Sequence, residues 1–187
     1  LSYYEEKSAA DMIYPGYSSW KTGDGVQGDV KGDALDLTMV ATRPFSGDGI
    51  KMQDLAVVKD GKLSAIHGST PFCRYLGIEP TGAYEKAKCD NLGSVSFEDM
   101  KKKPCLWAVA FSDFQMDTFS GHFGGEIRLA YLIEDGKVTP VTGGSINGNL
   151  IEAQQNMTFS TERFSSANYE GPYAVKFTDI AVAGTAD

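Results

Sequence analysis

The segment Gly121-His-Phe-Gly-Gly-Glu126 sets an imidazole and a carboxylate among glycines. His and Glu can hold or move a proton, and glycines let a second backbone approach closely. Two readings stand side by side. In the first, Gly121, His122, Phe123, Gly124 and Gly125 line a substrate channel, with His122 and Glu126 as the candidate catalytic residues. In the second, the segment is a mobile or bulged turn whose glycines meet special backbone angles and whose His122 is merely solvated. Neither Ser120 nor Ser145 lies in a Gly-x-Ser-x-Gly elbow, so a serine hydrolase is not supported.

Metal chemistry finds little here. His67 and His122 are 55 positions apart, and Cys73, Cys89 and Cys105 lack Cys-x-x-Cys spacing. A zinc site would need these residues to converge in space, which their spacing does not promote. Three cysteines match no disulfide framework, so a reducing compartment, the cytoplasm, is expected. With 25 acidic against 17 basic residues the chain carries a net charge of -8 and would repel a phosphate backbone. No nucleic-acid partner is therefore expected. Lys101-Lys-Lys103 follows Ser96-Phe-Glu-Asp99, a capping-box pattern, and reads as the end of a short solvated helix. Phe111, Phe114, Phe119 and Phe123 read as core and rim. Apolar runs fall well short of the ~20 residues that span a bilayer, and no signal-peptide pattern opens the chain, so no membrane partner is expected.

The elements that would position these residues are mainly strands. Leu35 to Ala41 alternates as a half-buried strand. Leu55-Ala-Val-Val and Leu63-Ser-Ala-Ile flank Asp60-Gly61, and Tyr131-Leu-Ile-Glu leads into Asp135-Gly136, the pair that most readily adopts the positive φ angles of a tight hairpin. Thr70-Pro71 reads as an N-cap followed by proline at the first helical position, with Gly77 as the stop. Leu106 to Phe111 is continuously apolar and is expected to be buried on both faces. Gly143 to Asn149 is expected to break regular pairing before a short helix at Leu150 to Met157, and a last strand runs from Tyr173 to Val182. The first residues, a Tyr-rich helix or loop at Tyr3 to Met12 and a Gly/Asp-rich crossing to Asp33, carry no strong core signal. The fold class is thus mainly β (α+β): an antiparallel sheet curled into an open barrel or sandwich with a few short helices. The recurrence of the Asp-Gly-Lys phrase about 75 residues later reads as two hairpins with one turn chemistry, without the fixed period of a repeat protein.

Several phrases resemble the C-terminal domain of the TldD/PmbA metallopeptidase family, also called modulators of DNA gyrase. The sharpest is Glu134-Asp-Gly-Lys through Pro140-Val, Gly144-Ser-Ile and Gly148-Asn149. Asp48 to Lys62, Pro80-Thr-Gly82, Asn91-Leu-Gly through Met100, Phe119-Ser-Gly121 and Phe177 to Gly184 resemble further family phrases in the family's order, covering roughly residues 35 to 184. The resemblance implies a division into an irregular or helical extension at 1–34, the remnant of a missing N-terminal half, and a C-terminal β domain at 35–187. Leu1 in place of Met leads to the same expectation of a processed or truncated product.

In catalytic members of this family a His-Glu-x-x-x-His helix of the N-terminal half and a cysteine of the C-terminal domain hold zinc. That cysteine position would fall near Asn168 to Gly171, where this chain reads Asn-Tyr-Glu-Gly. The resemblance is therefore closer to the TldE/PmbA branch, the non-zinc partner that completes the peptide-binding chamber. It implies no metal ligand and no cofactor in this chain, zinc in a TldD-like partner, and no catalysis by the chain alone. It also implies a dimer with that subunit or with itself, and extended or unfolded peptide as substrate for proteolysis or peptide maturation. The alternative is a stand-alone interaction module without a proteolytic role.

Overall fold

The computed structural model describes residues 1–184. In chain order the elements are helices α1 (Ser2–Lys7) and α2 (Ala10–Ile13), strands β1 (Leu37–Val40), β2 (Leu55–Lys59) and β3 (Lys62–Leu63), helix α3 (Thr70–Leu76), strand β4 (Lys86–Cys89) and helix α4 (Phe97–Met100). A long hairpin, β5 (Cys105–Met116) and β6 (His122–Glu134), leads into β7 (Lys137–Val141), β8 (Ser145–Asn149) and helix α5 (Leu150–Ala153), which a 3-10 turn extends to Asn156. Five short strands close the described chain: β9 (Thr158–Phe159), β10 (Arg163–Ser165), β11 (Tyr169–Pro172), β12 (Val175–Lys176) and β13 (Ala181–Ala183).

Two sheets carry the fold. One runs β10-β11-β4-β1-β2-β3, and the other runs β13-β8-β6-β5 with β7 added beside β6. A small β12-β9 pair lies apart. Pairing is antiparallel except between β11 and β4. The fold is thus mainly β with short helices, as the strand-rich pattern implies, and among the described residues no barrel closes. The main core lies on the first sheet, where Leu37, Met39, Val57, Val58 and Leu63 are buried together with Phe159. Burying each such side chain contributes roughly 1.5–3 kcal/mol.

The local chemistry works as read from sequence. Asp60 and Gly61 have φ of 49° and 69°, and Asp135 and Gly136 have 48° and 75°, the left-handed pair that matches strand twist in a two-residue hairpin. Gly77 ends α3 at φ 70°, and Ser96 caps α4 by accepting from the Asp99 amide. Lys101 and Lys102 pair with Glu98 and Asp99 one turn back.

Four expectations change. The cap of α3 is Ser69, which moves Thr70 into the helix, where its amide and hydroxyl donate to Asp48 Oδ2. Gly143 and Gly144, both at positive φ, are the break, whereas Ser145–Asn149 is a regular strand between β6 and β13. The last strand is split into β12 and β13, with Asp179 at φ 62° between them. Leu106 to Phe111 is not buried on both faces: Val109 is 47% exposed and no residue of β5 is fully buried, and among the described residues β5 is an edge strand.

The first 34 residues contribute to the core despite their weak signal. Tyr3, Tyr4 and Val26 belong to the main cluster. Buried Gln27 and Gln154 tie this segment to the helix after β8: Gln27 Nε2 donates to the Gln154 carbonyl at 2.9 Å, and the Tyr4 hydroxyl donates to Gln154 Oε1 at 2.6 Å.

Candidate functional site

The segment from Gly121 to Glu126 is neither a loose turn nor a catalytic pair at one point. Gly121 sits in the β5–β6 turn at φ 75°, and from His122 onward the backbone is the start of β6, paired on one side with β5 and on the other with β8. His122 and Glu126 lie four residues apart on that strand, about 13 Å at the usual rise, beyond hydrogen-bond reach of each other.

His122 belongs to a polar cluster at the hairpin end. Its Nδ1 is 3.2 Å from Ser120 Oγ and 3.4 Å from Asn149 Nδ2. Ser120 donates its proton to Asp117 Oδ2, and Asp117 Oδ1 accepts from the Phe119 amide at 2.9 Å. These bonds hold the Asp117 carboxyl below its ordinary pKa, the Ser120 hydroxyl contributing most. Because Ser120 gives its proton to a carboxylate that is already ionised, His122 does not activate it as a nucleophile. Asn149 turns the other way as well, accepting from the Ile151 amide to cap α5. The cluster fixes the geometry of the turn and of the strand that leaves it. Glu126 accepts from Ser112 Oγ at 3.3 Å beside an open depression of about 510 Å³ that Arg128, Thr142 and Gly144 also line.

The glycines have a packing role that sequence alone did not disclose. A Cβ on Gly125 would come within 2.9 Å of the Phe111 and Phe114 rings, and one on Gly148 within 2.8 Å of the Phe123 ring. Small residues on β6 and β8 thus let aromatic rings lie flat across the sheet. Phe111, Phe114 and Phe123 follow one another at centroid distances of 5.2 and 6.0 Å. Phe119, by contrast, is exposed and meets Tyr17 edge-on at 5.7 Å.

Those rings form one wall of a groove between the two sheets, with a volume of about 920 Å³. Trp107 and Met116 of β5 line this groove as well, together with Tyr3, Tyr4 and Phe159. Trp107 continues an aromatic chain through Phe97 (4.8 Å) to Tyr173 (5.1 Å) and Phe164 (6.2 Å). A mostly apolar cleft of this size fits the side chains of a bound ligand.

Metal donors do not gather in or near this groove. Among the described residues no three His, Cys, Asp or Glu side chains form a metal-binding group. His67 is buried, and its Nε2 lies 2.9 Å from the Glu5 carbonyl, a contact that uses that nitrogen's proton. Cys89 is buried beneath Gly171, donates to Asn91, and has its thiol pushed up to about 12 by burial. Burial likewise raises the Cys73 thiol. With this imidazole nitrogen engaged, these two thiols held protonated and no three donors together, the described residues do not assemble a zinc site.

Residues 9–184 match the family model of the PmbA/TldA metallopeptidase C-terminal domain. The chain belongs to this family. Among curated relatives, a metalloprotease TldD homolog of Haemophilus influenzae is 28% identical over 131 residues, which cover 62% of this chain and 27% of the relative. A metalloprotease of Methanothermobacter thermautotrophicus is 24% identical over 127 residues, 60% of this chain and 28% of the relative. The chain thus spans little more than a quarter of the curated relatives it matches. In fold it is similar to TldE from Thermococcus kodakarensis, with TM-score 0.81 and 17% identity over 98% of this chain and 48% of that one. A Bacteroides thetaiotaomicron protein described as a modulator of DNA gyrase gives TM-score 0.77 and 18% identity, over 99% of this chain and 44% of that one. The PmbA/TldA domain assignment fits the phrases quoted from sequence, and the matched region starts well before residue 35. Among the described residues no helix is long and apolar enough to cross a membrane.

Proposed function

We propose that this PmbA/TldA domain is the C-terminal part of a TldE/PmbA-like subunit of a cytoplasmic, zinc-dependent peptidase complex. In this reading a TldD-like subunit holds the zinc, and this domain walls the chamber that receives unfolded peptide for proteolysis or maturation. The observation that carries the reading is the aromatic groove, which sits in a metallopeptidase-family domain whose described side chains assemble no zinc site. An extended peptide pairs its backbone with a free strand edge and drops alternate apolar side chains between the sheets. Gly121 to Gly125 then act through shape, seating the Phe111, Phe114 and Phe123 rings, and the domain alone hydrolyses nothing.

The test combines peptide binding with elemental analysis. Trp107 fluorescence should respond to an unfolded apolar peptide, and Phe114→Ser, at a side chain that is half exposed, should weaken binding about five-fold, the loss of roughly 1 kcal/mol of apolar burial. Zinc and peptide degradation should appear when the full gene product is co-expressed with a TldD-like subunit and not when it is purified alone. Zinc retained by the protein alone after dialysis would overturn the reading. A protein indifferent both to peptide and to such a subunit would instead be a stand-alone interaction module.

A further inference from the structure

Charge is placed unevenly in the groove between the sheets. The chain has 25 acidic against 17 basic residues, yet the charged side chains that line the groove are Lys101, Lys103, Lys176 and one acid, Asp179. The three lysines gather at the end where β5 begins. Lys101 and Lys103 belong to the short connection from α4 to β5, and Lys176 Nζ reaches the Met100 carbonyl at 3.3 Å. Asp179 belongs to another neighbourhood, next to Ile180, whose side chain, like the Phe123 ring, lies against Gly148.

The three lysines differ in what they face. Lys101 is engaged: its ammonium is 2.6 Å from Glu98 Oε1 and lies over the Phe97 ring at 4.6 Å, so it steadies the ring that Trp107 and Tyr173 meet. Lys103 and Lys176 make no ion pair among the described residues. Lys103 is exposed, whereas Lys176 is half-buried with the Met100 carbonyl as its acceptor. An ammonium drawn partly out of water without a counter-charge is held at a cost, which an incoming carboxylate lowers. We propose that the groove selects peptides in which an apolar stretch ends in a carboxylate, and that Lys103 and Lys176 receive that group. This names the substrate class for the peptide reading given above and rests on that reading. Antiparallel pairing with β5, the more stable arrangement, runs the peptide's C-terminal end toward Cys105, the first residue of β5. The peptide then passes Phe114 and Phe111 before Trp107, and its carboxylate comes last, beside the lysines. An Asp or Glu side chain and a free C-terminus supply the same chemistry. A basic residue at that place would meet like charge, so the groove chooses against the basic peptides that a net charge of -8 would by itself attract.

Trp107 fluorescence of the full gene product reads the binding of synthetic unfolded peptides that share one apolar body, are amidated, and end in two glutamates, two glutamines or two lysines. The glutamate peptide should bind about tenfold tighter than the glutamine peptide at low salt, with the lysine peptide weakest. The gap should narrow in about 0.5 M salt, which screens the charges. A glutamine peptide with a free C-terminus separates the two sources: a gain over its amide assigns the terminal carboxylate, a gain confined to the glutamate peptide assigns the side chain, and either supports the selection. Lys103→Gln, at an exposed side chain, should lose about three-fold of the preference. Lys103→Gln/Lys176→Gln should bring the glutamate peptide down to the glutamine peptide, whose own affinity stays unchanged. Phe114→Ser should instead weaken all peptides in proportion and keep their ratios. Equal affinity for the three endings, a preference for lysine, or a glutamate preference that survives the double variant would each overturn the selection. Equal affinities leave the peptide groove itself standing, whereas a Trp107 signal silent to every peptide overturns both.

Discussion

His67 and His122 show how one residue type takes two fates. His122 is exposed at a hairpin end, while His67 is buried against Tyr84, with its Nε2 on the Glu5 carbonyl and its backbone bridged to Ala9. Burial depresses the His67 pKa below 6.5, so the unfolded chain binds a proton at higher pH than the folded chain does. The sign follows: stability due to neutral His67 is fully present above about pH 6.5 and is lost as the pH falls toward the folded pKa. Urea midpoints measured from pH 8 to pH 5 should therefore decline more steeply for the wild type than for His67→Gln, which stays neutral. Parallel curves would show that His67 protonation does not limit folding in acid. Nothing in the local sequence marks this histidine as buried, since its partner carbonyl comes from α1, about 60 positions away.

Turns are the elements whose fate sequence fixes most firmly, and two of them allow a controlled comparison. Gly61 and Gly136 occupy the same place in Asp-Gly hairpins, both at positive φ. A Cβ on Gly136 meets nothing within 4 Å, whereas one on Gly61 would lie 2.9 Å from Gln27 Oε1. Gly136→Ala should thus cost only the left-handed strain, about 1 kcal/mol. Gly61→Ala should cost more, because it also presses on the glutamine that accepts from the Leu35 amide and donates to two carbonyls. Equal losses in chemical denaturation would mean that Gln27 moves aside freely. The Asp-Gly pair was readable because its φ preference is local. The Gln27 contact was not, because it comes from a segment outside the hairpin. Strands such as β4 and β11 were missed for a related reason: they are short, and their parallel pairing joins residues far apart in sequence.

For the molecule as a whole, the question is what binds the first residues to the rest. Gln154 is fully buried, accepts from the Tyr4 hydroxyl and donates to the Val26 carbonyl at 3.3 Å, linking three segments of the chain. Gln154→Ala leaves the buried Tyr4 hydroxyl without its acceptor and should cost about 2–3 kcal/mol, in line with unsatisfied buried polar groups. Adding Tyr4→Phe should recover part of that loss, since the orphaned hydroxyl is then gone, giving a coupling well outside additivity. Fully additive losses would show that water replaces the glutamine at no cost.

Sequence by itself determined the Asp-Gly turns, the Ser96 cap of α4, the Gly77 stop of α3, the strand-rich class and the ordered family phrases, because each depends on φ preference, side-chain capping or periodicity within a few residues. Tertiary structure alone decided that Leu106 to Phe111 lies on a sheet edge and not in a sealed core. It also decided that Gly125 and Gly148 serve the aromatic wall, and that His122 and Glu126 point from separate places on one strand. These outcomes depend on which distant strands pair and where the second sheet stands off from the first. Hydrogen-bond pairing between remote segments sets both, and no local pattern encodes it.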